Sequence, residues 1–505
     1  MQTDPSRAMA PEVRLGAFGF PLYLREPPSV DSGKPWEVNF SLGAQLLATD
    51  NVSGTKSDRQ ADFITAFTPT VQASADTAWL RGTLTYAPLA QIYAVDSSQN
   101  RLDHNLNAQA VAVLVPQTAF LDARAFATTR TITGGYAPEG TALTDRSNLA
   151  QSFGTQISPY LVHRFGSLAT LQVGYAFQYG VQDGDDAFLP DTSQPYFTQQ
   201  EFTAHEGFAV LRSGDDFGRL GFEATIDGTK YSGTGVLDDA HRNFATVELR
   251  YAVFRNIAAL VEGGYEDQKY GGVPPLQISG PIWAVGMRLT PVPDSTIIVK
   301  YGRRNGFNSP FLAANFPVGA RTRISASYSD TLSTDLGRDQ NVLTTSEVDP
   351  WGNPVDATTG APLFYSGSFL ALQSSLFRVR RFTASISQSW PRDTFTFSIL
   401  DEDQSPVSVA PGTLAFSQRG TSGSLIWAHE LTPRATTVSY LEYGRYKSPV
   451  AAGSGDVFTA SAALRYSFSE SLVGTLQYIL TNRGSDSPTN RGLQNIILAG
   501  LQKTF

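Results

Sequence analysis

Residues 458–480 read FTASAALRYSFSESLVGTLQYIL, and the period of this stretch decides the fold. From Phe458, one parity carries Ala460, Ala462, Leu464, Tyr466 and Phe468, while the other carries Thr459, Ser461, Ala463, Arg465 and Ser467. After Ser469, Glu470 and Ser471 the alternation restarts, with Leu472, Gly474, Leu476, Tyr478 and Leu480 set against Thr475, Gln477 and Thr481. Successive residues of a strand point to opposite faces, so each segment has one apolar and one polar face. A helix needs its apolar residues three and four apart, which this spacing does not provide. The stretch therefore predicts two antiparallel strands joined by a tight turn.

The same period runs through the chain. From residue 169, Ala169, Leu171, Val173, Tyr175, Phe177 and Tyr179 alternate with Thr170, Gln172, Gly174, Ala176 and Gln178. The links between such segments differ in length. Short ones stand at 116–119, 165–167, 214–216, 255–256, 391–393 and 432–434; long polar ones stand at 132–150, 182–200, 271–280, 332–373 and 402–418. Short turns at one end and long loops at the other are the layout of a membrane β-barrel. Aromatics gather near strand ends, at Tyr175–Tyr179, Tyr265–Tyr270, Tyr440–Tyr446 and Tyr466–Phe468, as interfacial girdles do.

Composition agrees. The 505 residues are 17% charged, 41% hydrophobic and 11% aromatic, with a mean hydropathy of −0.16. At roughly 150 residues per domain this length suggests three or four soluble domains, but alternation spreads the apolar residues over one lipid-facing side instead. No run approaches the roughly 18 apolar residues of a spanning helix. We expect an all-β, transmembrane, antiparallel up-and-down barrel over residues 36–505 with about 22 strands, 20–24 being compatible with the boundaries. The strands near 306–316 and 374–390 carry the weakest alternation. Residues 1–35 form an N-terminal periplasmic or lumenal extension in this reading, and their start lacks the apolar core of a signal peptide.

The counts exclude several chemistries. There is no cysteine, so disulfides, thiolate metal sites and thiol nucleophiles are absent. A net charge of −8 disfavours nucleic acid as a partner. His104, His163, His205, His241 and His429 are scattered, and no catalytic or nucleotide-binding motif occurs, so neither an enzyme nor a cofactor is expected. Asp183, Asp185 and Asp186, with Asp191 nearby, are weak candidates for calcium in a loop, against the plainer reading of solvated acids.

Several marks resemble the outer-membrane barrels associated with exosortase (PEP-CTERM) systems, close to the β-barrel porin type 2 grouping. They are Leu46 with Asp50–Asn51–Val52, Asp62–Phe63–Ile64 leading to Pro69, Lys300–Tyr301–Gly302–Arg303–Arg304, the 322–329 run TRISASYS, and the 349–354 run DPWGNP with Thr358–Thr359–Gly360 following. The resemblance implies a bacterial outer-membrane location and a passive conduit taking part in exopolysaccharide export, with periplasmic export components as partners. Gly500 and the terminal Phe505 resemble the signal read by the barrel-insertion machinery; Lys503 stands where that signal usually has an apolar residue.

Assigning the apolar parity to lipid sends Arg81, Arg124, Arg219, Arg250, Arg288, Lys300, Arg304, Arg321, Arg323, Arg381 and Arg465 toward the lumen, with Asp122, Glu223, Asp227, Glu248, Glu262 and Glu266 beside them. A charge facing lipid at the midplane costs about 2–4 kcal/mol, which enforces that assignment for mid-strand residues. Two consequences compete: the charges pair across strands and brace the wall, or an excess of cations forms an anion-selective path. Arg321 and Arg323 with Lys300 and Arg304 are the candidate patch; the alternative is that some of these cations sit at the rims and bind lipopolysaccharide phosphates. A diffusion porin for small, anionic solutes and a sheath around a partner protein are the alternative functions. The 332–373 link is the candidate for a loop folding into the lumen.

Overall fold

The computed structural model describes residues 35–56, 59–135, 143–292, 295–338, 346–348, 354–356, 370–486 and 491–505. Residues 1–34 of the expected extension therefore lie outside the described residues, as do 339–345, 349–353 and 357–369 of the long link. The strands form one closed antiparallel sheet. Its 24 extended segments make 22 strands, because Leu80–Tyr86 continues as Leu89–Tyr93 and Arg101–Asp103 continues as Leu106–Val115. The first break falls at Ala87–Pro88, where proline has no N–H to give the ladder.

Closure joins the two ends of the sequence. Trp36–Thr49 pairs with Gly492–Thr504, Ser41 facing Thr504 and Thr49 facing Ile496. No edge is left to template pairing with another chain. The weakly alternating regions are strands too, at Phe307–Val318 and Ser375–Ser389. The outer surface is apolar through its middle, where Ile226, Val247, Val261, Val285, Val299, Leu441, Leu476 and Ile497 are all exposed. Such a surface is stable only against hydrocarbon.

Three sequence expectations change. The 402–418 link shrinks, since Asp393–Val409 extends to residue 409: Ser398, Leu400, Glu402 and Gln404 face inward while Phe397, Ile399, Asp401 and Asp403 face out. Charged residues had disguised a continuing alternation. The ends do not sort strictly by length either. A two-residue Asn305–Gly306 turn sits at the long-loop end, both residues in the left-handed region (φ 55° and 80°), a conformation these two residue types tolerate best. Finally, not every terminal aromatic belongs to a girdle. Tyr175, Tyr265, Tyr443, Tyr466 and Phe468 face out, whereas Tyr270, Tyr440 and Tyr446 are buried inside.

Candidate functional site: the lumen wall and its mouth

The inner wall between Gln200–Ser213 and Thr296–Arg304 carries a charge ladder. Register places Glu223 directly opposite Glu248, and Glu248 directly opposite Glu262. Three like charges in one cross-strand row would repel, so cations are interleaved. Arg250 bonds Glu248 at 2.6 Å and Glu223 at 3.3 Å; Lys300 meets Glu248 at 2.5 Å and Glu262 at 4.0 Å; Arg304 reaches Glu262 at 2.6 Å. Arg212 adds a contact to Glu223 at 3.1 Å, and Arg242 stands 3.7 Å from Asp227. Glu206 is bonded by Gln178 at 2.6 Å, and Glu266 accepts from the backbone of Asn305 and Gly306 at 2.8 and 2.9 Å. With Arg288 buried on the same wall, six cations face six carboxylates in this sector, so its middle is braced rather than electropositive.

The other sequence candidates scatter over the wall. Arg124 is buried inside with both arms on Asp122 at 2.8 Å. Arg288 is buried inward, and Arg381 lies 3.7 Å from Glu402. Arg81 pairs with Asp76 at 3.1 Å in the open. Arg219 and Arg321 sit in short turns and are exposed; Arg323 and Arg465 face inward, also exposed, near the same end. The expected patch of Arg321 and Arg323 with Lys300 and Arg304 does not assemble. Phe307–Val318 separates the two pairs, Arg304 ends its strand at the opposite rim, and Lys300 is neutralised by two glutamates. Asp183, Asp185 and Asp186 are exposed, and among the described residues no three acidic or histidine side chains converge on a metal position. At the carboxyl end, Lys503 faces outward and donates to Ser471 in the adjacent turn at 2.6 Å, taking its charge to the rim.

The mouth at the long-loop end was not visible in the sequence beyond the expectation of one inward loop. There, links from strands far apart in the sheet are hydrogen-bonded to each other. Leu372 N donates to Ile132 O at 2.9 Å, Ser374 N to Tyr196 O at 3.0 Å, Leu414 N to Pro195 O at 2.8 Å, and Val273 N to Val409 O at 2.8 Å. Leu336, three residues beyond the end of Thr322–Ser333, packs among Phe126, Phe202, Tyr231 and Tyr270. Those side chains belong to the inner faces of other strands, so the 334–338 segment crosses the lumen. It fits because Gly180 has no side chain: a Cβ there would lie 3.3 Å from Leu336 and 2.6 Å from Phe202.

A polar clasp holds both described ends of this link to the wall. Arg338 is gripped by Asp335 and Glu402, all three buried. Asp335 also accepts from Gln373 N at 2.7 Å, and the Gln373 side chain exchanges bonds with the Phe416 backbone at 2.9 and 3.2 Å. Gln418 does the same with Ala371 at 2.7 and 3.0 Å and bonds Gln404 at 2.8 Å, which in turn bonds Glu402 at 2.5 Å. Burial in this raft pushes the Tyr196 phenol well above its ordinary range and keeps it neutral. By sequence, Glu402 stands at the start of the polar 402–418 link; extending the alternation from Ser398 finds it on the inner face.

No protein-family model and no curated protein matches the chain. Solved structures do. The open form of the ferric-catecholate import receptor Fiu from E. coli K12 superposes with a TM-score of 0.50 at 10% identity, over 95% of this chain and 82% of that one. The FpvAI–pyocin S2 complex gives 0.50 at 11% identity, over 92% and 70%. The siderophore receptor PiuA from Acinetobacter baumannii gives 0.49 at 9% identity, over 92% and 81%. At such identities the likeness is one of fold: this chain is a closed 22-strand antiparallel β-barrel of the outer-membrane type.

Proposed function

We propose that this chain is an outer-membrane transport barrel with no catalytic chemistry of its own, whose extracellular mouth is shut by its own loops and must open to pass cargo. The observation that carries this reading is the cross-lumen raft, in which residues 132, 195–196, 273, 334–338, 370–374 and 409–416 interlock. A freely permeable diffusion porin has no use for such a lid, and a braced wall of balanced charge supports a scaffold more than an ion filter.

Exopolysaccharide export is the cargo reading that the sequence resemblance motivates, with the chain acting as the passive outer-membrane step beside periplasmic components. One feature favours an anionic cargo entering from the periplasmic side: Arg321, Arg323 and Arg465 are exposed at or near the short-turn opening, as is Arg81 beside its partner Asp76, while Glu37, Asp215, Asp216, Glu430 and Glu470 are acids at the same end. The second reading, a porin for small solutes, retains support only if the lid opens spontaneously. Deleting the gene and measuring surface polysaccharide alongside small-solute uptake separates the two. Loss of polysaccharide with unchanged uptake supports export; the reverse supports the porin. Single-channel recording on the purified barrel tests the lid itself, and a wide, permanently open pore would refute the gated reading.

A further inference from the structure

One sector of the outer surface breaks the apolar rule. Along Ala435–Ser448 the outward residues run Leu441, Tyr443, Arg445, Lys447 toward the long-loop end, so two cations follow directly above the aromatic level. Register sets Arg419 directly opposite Lys447 on the neighbouring strand. Like charges opposite each other across an antiparallel pair destabilise it unless something anionic sits between them. Arg419 has a partial answer in Asp401 at 3.1 Å, on an exposed pair. Arg445 donates to the Tyr443 hydroxyl at 2.8 Å, and among the described residues neither Arg445 nor Lys447 makes an ion pair with a carboxylate.

These side chains line a groove of about 820 Å³ that also takes in Arg491, Asp456 and Asp486. Gly484 stands opposite Asp456 and leaves its carboxylate room, since a Cβ there would meet an Asp456 oxygen at 2.3 Å. Asp456 faces Arg445 directly across the ladder, and Asp486, engaged by the amide and hydroxyl of Ser454 at 2.9 and 2.8 Å, lies in the same groove, so four cations outnumber two carboxylates there and leave it net positive. On the other side of the barrel the outward cations differ: Lys230 and Lys269 share Asp239 at 4.0 and 3.6 Å.

We propose that the Arg419–Arg445–Lys447–Arg491 groove binds a phosphate of the membrane's own glycolipid, the lipid A of lipopolysaccharide. Height and chemistry agree on this occupant. A cation just beyond the aromatic level lies at the headgroup boundary, where burial in lipid no longer penalises it, and a guanidinium fork matches phosphate oxygens. Acyl chains below would then lie on Leu441, Tyr443 and Phe458 of the same face. The proposal rests on the outer-membrane reading for the lipid it names, but not on what the lumen carries.

The test uses the full-length barrel folded in detergent micelles, titrated with diphosphoryl lipid A and followed by native mass spectrometry of the retained lipid. With about one decade of affinity or somewhat less for each cation near an anionic surface, the R419Q/R445Q/K447Q variant should bind roughly a hundredfold more weakly. The K230Q/K269Q variant should bind like the wild type, and the monophosphoryl lipid should bind more weakly than the diphosphoryl one. If the triple variant fails to fold, judged by heat-dependent electrophoretic mobility, K447Q alone with rescue by K447R decides. Equal retention in wild type and variant, or no preference for phosphate, overturns the site. Channel recordings on the same variants keep the outcomes apart, since a changed lumen with normal lipid binding touches only the transport reading.

Discussion

Removing the Arg338 side chain should unlatch the mouth. Arg338 is 7% exposed and lies between Asp335 and Glu402, which are 0% and 2% exposed, so Arg338→Ala leaves two buried carboxylates without their shared cation. Breaking a buried ion pair on one side costs about 3–5 kcal/mol. Part of this is offset here, because Asp335 keeps the Gln373 amide and Glu402 keeps Gln404 and a longer contact to Arg381. The low end of that range, at about 1.4 kcal/mol per tenfold, predicts roughly a hundredfold shift toward the state in which the segment leaves the wall and the acids are hydrated. The assay is single-channel recording in planar bilayers, comparing the open probability of wild type and variant after both are shown to be folded by heat-dependent mobility. A companion variant deletes residues 339–369 and joins 338 to 370. It should stay shut, because the clasp lies in the anchored ends, whereas deleting 334–373 should open the pore. A folded Arg338→Ala barrel that opens no more often than wild type would refute the idea that this clasp closes the mouth.

Three further outcomes follow from the same geometry. Glu248→Gln leaves Arg250 and Lys300 facing each other at the centre of the ladder, and urea unfolding should show the barrel weakened by about 3 kcal/mol or more; an unchanged midpoint would mean that the ladder does not brace the wall. Gly180→Leu forces a side chain against Phe202 and Leu336, so it should displace the 334–338 segment and raise conductance without altering the outer surface. Reversing Arg321 and Arg323 to Glu should move the reversal potential of an opened pore toward cations, and no shift would place both outside the permeation path.

The candidate residues divide according to what kind of information places them. That Arg250, Lys300 and Glu248 face inward is implicit in the alternation around them, because parity is a local property of the chain. That they neutralise one another is not, since Lys300 and Glu248 are brought together by register across intervening strands. The expected patch of Arg321 and Arg323 with Lys300 and Arg304 failed for this reason: sequence distance does not tell which end of a tilted strand a residue occupies. The outward cations of the groove went unrecognised for another. They share parity with lipid-facing residues, and only their height on the wall makes them tolerable.

Alternation along the chain by itself determined the strands, their two faces and the count near 22, because a period of two is written residue by residue and enforced by the cost of misplacing apolar surface. The tertiary structure alone decided that distant links interlock over one opening. Leu372 finds Ile132, and Arg338 finds Glu402, only after the sheet has closed into a ring that brings distant links over one opening. Those contacts carry no local signature: they depend on the curvature and stagger of the whole barrel, which no segment of the sequence specifies alone.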